Sequence, residues 1–376
     1  MSRGRLRAGA TLVTAMLLLA ACGGGEDETP SGATGSAAAA TNQEAAAEVK
    51  TLLAGEVEFP MPTEAVDPGT HRVAVIASGL ASPGPSVLAE NAMDAIKTIG
   101  WTADPPGDGK FTPTTQAQLI EKAVLDKVDG IVLVSITPSA VAAAVKAADD
   151  AGIAVVCALC GPDLPEGMVG VGNDHKAAGR AQAAYAASLA KPGDTVVVYQ
   201  NTEFKQSEEQ MAEAAAAVRK MCPGCKVKTP SLLLAEAMHA NAPIFTSLLN
   251  EYRKGTLSSV VVPFDSPAAV LANSAAQLGR DDFAVIGLGS LSPFVDMVGA
   301  GRPAVAKADV LISTPLYGWA SVDQLARMLA GAKTWTADQM PVALVDRESY
   351  AGYEKGKLFV LPKFDYKAKF TELWGK

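Results

Sequence analysis

Val73-Ala74-Val75-Ile76-Ala77 is an unbroken apolar run of strand length, bounded by His71-Arg72 before it and by Ser78-Gly79 after it. A strand that is apolar at every position, rather than at alternate ones, is buried on both faces, as in parallel sheets. The residues that follow agree with this reading. Leu88, Ala92, Ala95, Ile96 and Ile99 recur at helical spacing, and Gly100 stands where a helix C-cap belongs. After the Pro105-Pro106-Gly107 turn a second helix carries Leu119, Ile120, Ala123 and Val124 on one face. Then come the strand Ile131-Val132-Leu133-Val134, a helix marked by Val141, Ala144, Val145 and Ala148, and the strand Ile153-Ala154-Val155-Val156. The order βαβαβ implies a parallel sheet with helices on both faces. The rhythm restarts after Met168-Val169-Gly170-Val171, with a helix from about Lys176 to Leu189 and strands at Thr195–Tyr199, Val260–Val262 and Phe283–Ile286. A helix over residues 313–331, the strand Val342–Val345 and an aromatic, Lys-rich tail close the chain. The predicted fold class is therefore α/β: two doubly wound parallel-sheet lobes joined by a hinge.

Composition supports two lobes. The chain has 376 residues, 49% of them hydrophobic and 19% charged, which excludes a mainly disordered chain and suggests about two domains at roughly 150 residues each. A net charge of -8 argues against a surface that grips nucleic acid phosphates. Arg3, Arg5 and Arg7 precede an uncharged apolar stretch from Ala8 to Ala21. At 14 residues this stretch is shorter than the ~20 needed for a permanent membrane helix, and it reads as a secretion signal. Its end, Leu19-Ala20-Ala21-Cys22-Gly23, resembles the bacterial lipobox, which implies a lipid anchor on Cys22 at the outer face of the cell membrane. Removal of residues 1–21 takes away three Arg and no acid, leaving -11. Residues 22–68 are expected to be the lipidated Cys and a flexible tether, because Gly23 to Glu48 contains no large apolar side chain. A short helix is expected to begin near Ala45, and the folded body near His71.

Ligands of open α/β sheets bind beyond the carboxyl ends of the strands, and the loops there are poor in catalytic groups. They contain no Gly-x-Ser-x-Gly elbow, no phosphate-binding Gly-Lys-Ser/Thr loop and no dinucleotide fingerprint after the first strand. Gly287-Leu288-Gly289-Ser290 is a strand-end turn rather than a cofactor loop. The three His, at 71, 175 and 239, do not pair at metal-ligand spacing. No enzyme activity, cofactor or metal is expected. Four of the five Cys form the pairs Cys157-x-x-Cys160 and Cys222-Pro-Gly-Cys225, with sixty-one residues between them. One shared metal does not suit pairs in different lobes. In an oxidising compartment a disulfide across the Cys222–Cys225 turn is the stronger reading, and Cys157 and Cys160 are expected to form a second staple at a strand end.

From His71 to about Gly331 the sequence resembles the type I periplasmic binding proteins, in particular the ribose-binding-like branch that also supplies the effector domains of LacI-type repressors. The resemblance is carried by Val128-Asp129-Gly130-Ile131-Val132-Leu133-Val134 followed by Ala140-Val141, and by Gly152-Ile153-Ala154-Val155-Val156. Val171-Gly172-Asn173-Asp174 with Gly179 fits the element where the chain first passes between lobes; Gln116, Asp265, Val285-Ile286-Gly287 and Ala306-Lys307-Ala308-Asp309 also fit. With the lipobox, the resemblance implies a monomeric, non-enzymatic solute receptor that hands a small solute to the permease of an ABC importer. It implies a first lobe of residues 69–172 plus 309–341 and a second of 173–308 plus 342–376.

Three departures bear on the solute. Sugar-binding members place Asp-Arg after the fourth strand, where a bidentate fork and a carboxylate suit adjacent hydroxyls; here the loop reads Cys157-Ala158-Leu159-Cys160-Gly161. Gly287-Leu288-Gly289-Ser290 replaces a Gly-Phe-Asp-Gly turn, and Glu208-Glu209-Gln210 stands where an Arg is usual. The candidate solute contacts are Ser78, Ser135, Thr137, Leu159, Asn173, Asn201, Asp265 and Asp309, with Phe204 and Phe264 able to sandwich a ring or cover a carbon chain. Ser135 and Thr137 also suit helix caps, Asp174 suits a backbone bond in the hinge, and Tyr317, Trp319 and Trp101 read as core. The solute is expected to be sugar-like or polyol-like; the alternative is a less hydroxylated aromatic or signalling solute passed to a membrane sensor.

Overall fold

The computed structural model describes residues 32–353, 359 and 362–376. The stretch read as a secretion signal and Cys22 lie outside the described residues. The first lobe contains β1 (Arg72–Ala77), α2 (Pro83–Ile99), β2 (Thr102–Ala103), β3 (Gly107–Asp108), α3 (Pro113–Leu125), β4 (Gly130–Val134), α4 (Ala142–Asp150), β5 (Ala154–Ala158) and β6 (Val169–Asn173), preceded by α1 (Gly32–Ala54). The second lobe is built from α5 (His175–Leu189), β7 (Thr195–Val198), α6 (Lys205–Met221), β8 (Lys226–Lys228), α7 (Leu234–Ala237), α8 (Pro243–Glu251), β9 (Leu257–Val261), α9 (Asp265–Gln277), β10 (Ala284–Leu288), α10 (Phe294–Ala300) and β11 (Ala306–Leu311). The chain then returns through α11 (Thr314–Leu329) and β12 (Ala337–Met340) to the first lobe, crosses again into β13 (Ala343–Asp346), and ends in α12 (Tyr366–Leu373).

Among the described residues two sheets form. The first has the order β12-β6-β5-β4-β1-β2, with β3 also pairing with β1; the second has the order β13-β11-β10-β9-β7-β8. All pairings are parallel except β13 against β11. The central strands β4, β7 and β10 are buried at every position, which is why their sequences are continuous Val and Ile runs. The apolar stripe of α2 is buried as its spacing predicts, and Gly100 closes the helix in the left-handed conformation, φ 86°.

The second lobe is not packed by large side chains alone. On α5, Ala178, Ala181, Ala183, Ala184, Ala186 and Ala187 are all buried, which lets α5 approach α6 closely. The contact is tightest at Gly179, where a Cβ would lie 2.2 Å from the Gln210 backbone oxygen.

Two segments differ from the sequence reading. Residues 32–54 are helical rather than a tether, and Ala45 and Val49 of α1 belong to the hydrophobic core. Alanine is the best helix former, and the closely packed α5 and α6 offer this small-residue helix a surface it can meet. The chain then runs across both lobes. Val57 and Phe59 pack beside Val295 and Val345 of the second lobe, while the Glu64 carbonyl accepts from Arg327 of α11 at 2.7 Å. The C-terminal helix α12, expected on the second lobe, packs on α11 of the first. Trp374 stacks on Trp319 with ring centroids 5.6 Å apart, and Phe370 lies beside both. Asp323 of α11 holds this end together: its carboxylate accepts from Arg327 Nε at 2.8 Å, Trp335 Nε1 at 2.8 Å and Trp374 Nε1 at 2.9 Å. A buried carboxylate needs this many donors to offset its lost hydration. Also, β11 stays in the second sheet as far as Leu311, three residues beyond the expected end of that lobe segment at residue 308.

Gly179→Ala should lower the free energy of unfolding by about 1–3 kcal/mol through overpacking against α6. The same change at Gly352, which has nothing near its Cβ position, should be close to neutral. Urea unfolding of the two variants provides the comparison.

Candidate functional site

The carboxyl ends of both sheets face one seam between the lobes. On the first lobe they place Ser78, Ser135, Leu159 and Asn173 at the ends of β1, β4, β5 and β6; on the second they place Asn201, Phe264 and Ser290 after β7, β9 and β10. The lobes touch there. A Cβ at Gly161 would sit 3.1 Å from Lys205 Cβ and 3.2 Å from the Gln206 backbone nitrogen, and one at Gly84 would sit 3.7 Å from Leu291 Cδ1.

The first-lobe wall is held in unusual backbone conformations. Ser135 and Leu159 have φ of 54° and 55°, and their N–H groups donate to Ala158 and Val171 at 2.8 Å. Left-handed backbone at non-glycine residues costs free energy and concentrates at functional sites. Cys157 and Cys160 form a disulfide around Leu159, as do Cys222 and Cys225 at the end of α6. Thr137 precedes a single 3₁₀ turn without a side-chain cap bond. Asp174, by contrast, caps α5, accepting from the Ala177 N–H at 2.8 Å, which is the hinge role the sequence suggested.

Several buried polar atoms on the two walls have no hydrogen-bond partner: Ser78 Oγ, Asn201 Oδ1 and Gln206 Oε1. Asn201 is otherwise fixed, its amide donating to Glu203 at 2.8 Å and to the Leu232 carbonyl at 3.0 Å. Phe204 and Phe264 meet edge to face with centroids 5.8 Å apart. They therefore pack on each other in the second lobe and do not leave a gap for a sandwiched ring. Gln206 and Phe111 were missed by sequence reasoning. Phe111, φ 54°, lies over Gly79, and its N–H donates to the Ser78 carbonyl at 2.6 Å. The polar, turn-like run before α3 gave no sign that a left-handed Phe would cover the end of β1. A hollow of about 1090 Å³ between α4 and the 163–168 loop collects none of the candidate side chains.

Asp265 and Asp309 come together although 44 positions separate them. Both are buried, and each carboxyl acts on the other. Burial raises both carboxyls, Asp265 to about 6 and Asp309 well above its usual range, and the charge of Asp265 raises Asp309 further. The folded state thus holds protons on this pair that the unfolded chain has already released. The pair's stabilisation is fully present at low pH and is lost as pH rises from the ordinary carboxyl value through the raised ones, by up to about 1.4 kcal/mol per pH unit for one proton. Urea unfolding at pH 5 and pH 8 should therefore show a larger loss of stability in the native chain than in Asp309→Asn.

The comparisons with known proteins bear on the family and the fold. A family model described as "Periplasmic binding protein domain" matches residues 73–333. Among solved structures, the chain is similar to an ABC transporter solute-binding protein from Mycobacterium smegmatis with bound glycerol, with 20% identity, TM-score 0.68, and coverage of 78% of this chain and 100% of that one. It is also similar to a sugar ABC transporter protein from Yersinia enterocolitica, with 16% identity, TM-score 0.69 and coverage of 85% and 99%. A third is the Caulobacter myo-inositol binding protein bound to myo-inositol, with 18% identity, TM-score 0.66 and coverage of 76% and 96%. No curated protein matches the sequence significantly. With the family model covering most of a body made of two parallel-sheet lobes whose carboxyl ends share one seam, the chain belongs to the type I periplasmic binding proteins.

Proposed function

We propose that this protein is the extracytoplasmic, lipid-anchored receptor of an ABC importer, capturing a small neutral sugar or polyol between its lobes and delivering it to a membrane permease. The observation that carries this reading is the set of unpartnered buried atoms at the strand ends, Ser78 Oγ on one lobe and Asn201 Oδ1 and Gln206 Oε1 on the other. Buried polar groups are normally bonded, and a hydroxylated solute would complete them from both sides at once. Ser135, Thr137, Leu159 and Asn173 line the first-lobe wall in this reading, and Phe204 and Phe264 cover carbon on the second. The buried guanidinium groups bind elsewhere, Arg280 with Asp282 and Arg327 with Asp323. Lys205, at the lobe contact, is paired with Glu208 at 3.0 Å; with Ser78 Oγ, Asn201 Oδ1 and Gln206 Oε1 as the unpartnered groups, the seam favours a neutral solute over an acid. Glycerol and myo-inositol, bound by two of the similar proteins, belong to this chemical class. The lipobox at Cys22 supports anchoring, and a solute that bridges the lobes would favour the closed form a permease reads.

Thermal unfolding of the mature chain against sugars, polyols, nucleosides, amino acids and aromatic acids tests the proposal. A solute at a hundred times its dissociation constant should add about 2.7 kcal/mol of stability. A shift with a sugar or polyol supports the reading, a shift confined to aromatic acids supports the sensor alternative, and no shift with any class contradicts both. Ser78→Ala separates recognition from folding. Because its hydroxyl bonds to no other described residue, the variant should keep its unfolding free energy yet bind about fivefold more weakly, as for one lost hydrogen bond; isothermal titration calorimetry reads the difference.

A further inference from the structure

The second-lobe wall of the seam rests on the Asp265–Asp309 pair. Asp265 opens α9, and Asp309 lies in β11, just before the chain crosses to the first lobe. Asp309 Oδ2 accepts the Ser290 N–H at 3.0 Å, and Asp265 Oδ2 accepts the Leu291 N–H at 2.7 Å. The two carboxyls thus grip consecutive residues of one turn. The Oδ1 of each is buried without a hydrogen-bond partner among the described residues, and two such carboxyls side by side in a dry site avoid an uncompensated second charge by keeping a proton on one of them.

The gripped turn is strained and placed at the lobe contact. Gly289 and Ser290 have φ of 147° and 65°. A Cβ at Gly289 would lie 2.7 Å from Asp265 Oδ2, so the carboxyl occupies the space a side chain would need. Ser290 Oγ accepts the Ile312 N–H at 3.0 Å, which ties the turn to the crossing segment. The next residue, Leu291, reaches Gly84 at the start of α2 on the opposite lobe. The charged groups on the surrounding elements are directed elsewhere. Lys307 of β11 is exposed, and Asp296 of α10 accepts from the Tyr350 hydroxyl at 2.9 Å and is bonded by Ser292. What acts on the pair is burial, each other, and the N–H groups of Leu288, Ser290, Leu291 and Val310.

We propose that Asp265 and Asp309 form a one-proton clamp that holds the 289–291 turn in the shape that meets the first lobe, so that solute affinity depends on that proton. Both are positioning residues. The affinity part rests on the solute-receptor reading above; the clamp itself does not. When the proton leaves to bulk water, two carboxylates in contact in a dry site repel. The turn then loses its anchors and the lobe contact loses Leu291.

Asp309→Asn is the direct test, because its amide keeps an oxygen to accept the Ser290 N–H and adds a donor, without a titratable proton. Two measurements are made on the full mature chain and this variant from pH 5 to 9. The first is amide hydrogen exchange over residues 284–292, corrected for intrinsic rates. The second is binding of myo-inositol and D-allose. In the native chain, protection of the Ser290 and Leu291 amides should fall as pH rises, approaching tenfold per unit once the proton is lost, with affinity falling in parallel; in Asp309→Asn both should be nearly flat. Native protection that is independent of pH, or an Asn variant that titrates like the native chain, overturns the clamp. If neither compound binds at any pH, it is the solute assignment that loses support, while the exchange profile still decides the clamp. Should Asp309→Asn fail to fold, Asp265→Asn provides the reciprocal donor and the same two expectations.

Discussion

The constraint on which the molecule depends is that the chain passes between the two sheets three times, after β6, after β11 and between β12 and β13. Each passage leaves one sheet and enters elements of the other lobe within a few residues, so the two sheets cannot be oriented independently. Their carboxyl ends face one seam. Everything suited to recognition gathers there, including the left-handed Ser135 and Leu159, the unpartnered Ser78, Asn201 and Gln206, and the turn that carries Leu291 across. Three short connections are also a hinge, and the seam is where a hinge of this kind opens.

The two walls are fixed by different means. On the first lobe a disulfide and a left-handed residue set the 157–161 loop. The loop therefore offers shape and an apolar surface rather than charge. On the second lobe two carboxyls hold a turn by its N–H groups. Both arrangements place strain at the seam and anchor it in the strands behind. Outside the seam a further strap forms. Residues 32–68 lie on α5 and α6, pass β13, and bond to α11 and Trp101 of the other lobe. This segment is thus part of the folded body.

Much of this was legible in the sequence because parallel strands buried on both faces leave continuous apolar runs. Val73–Ala77 and Ile131–Val134 identify themselves, and the turn and cap residues between them mark the helices. The family motif at Val171–Asp174 located the first crossing, and Asp174 caps a helix there. The segments that escaped are those whose partners are distant. An Ala-rich run reads as a tether until closely packed helices give it a surface, and α12 carries no mark that its aromatics belong on Trp319. Phe111 was hidden because its role comes from a left-handed φ rather than from its side chain's neighbours in sequence. Asp265 and Asp309 were both recognised as candidates, but their contact with each other is a product of the fold alone.

The central claim is that a small neutral solute closes the two lobes on each other along this seam. Small-angle X-ray scattering of the mature chain, recorded without solute and at saturation with the sugar or polyol that stabilises it, tests this most directly. The account predicts that solute shifts the curve from a more open form to the one calculated for the structure described above. A curve that is unchanged while the solute is demonstrably bound would contradict it.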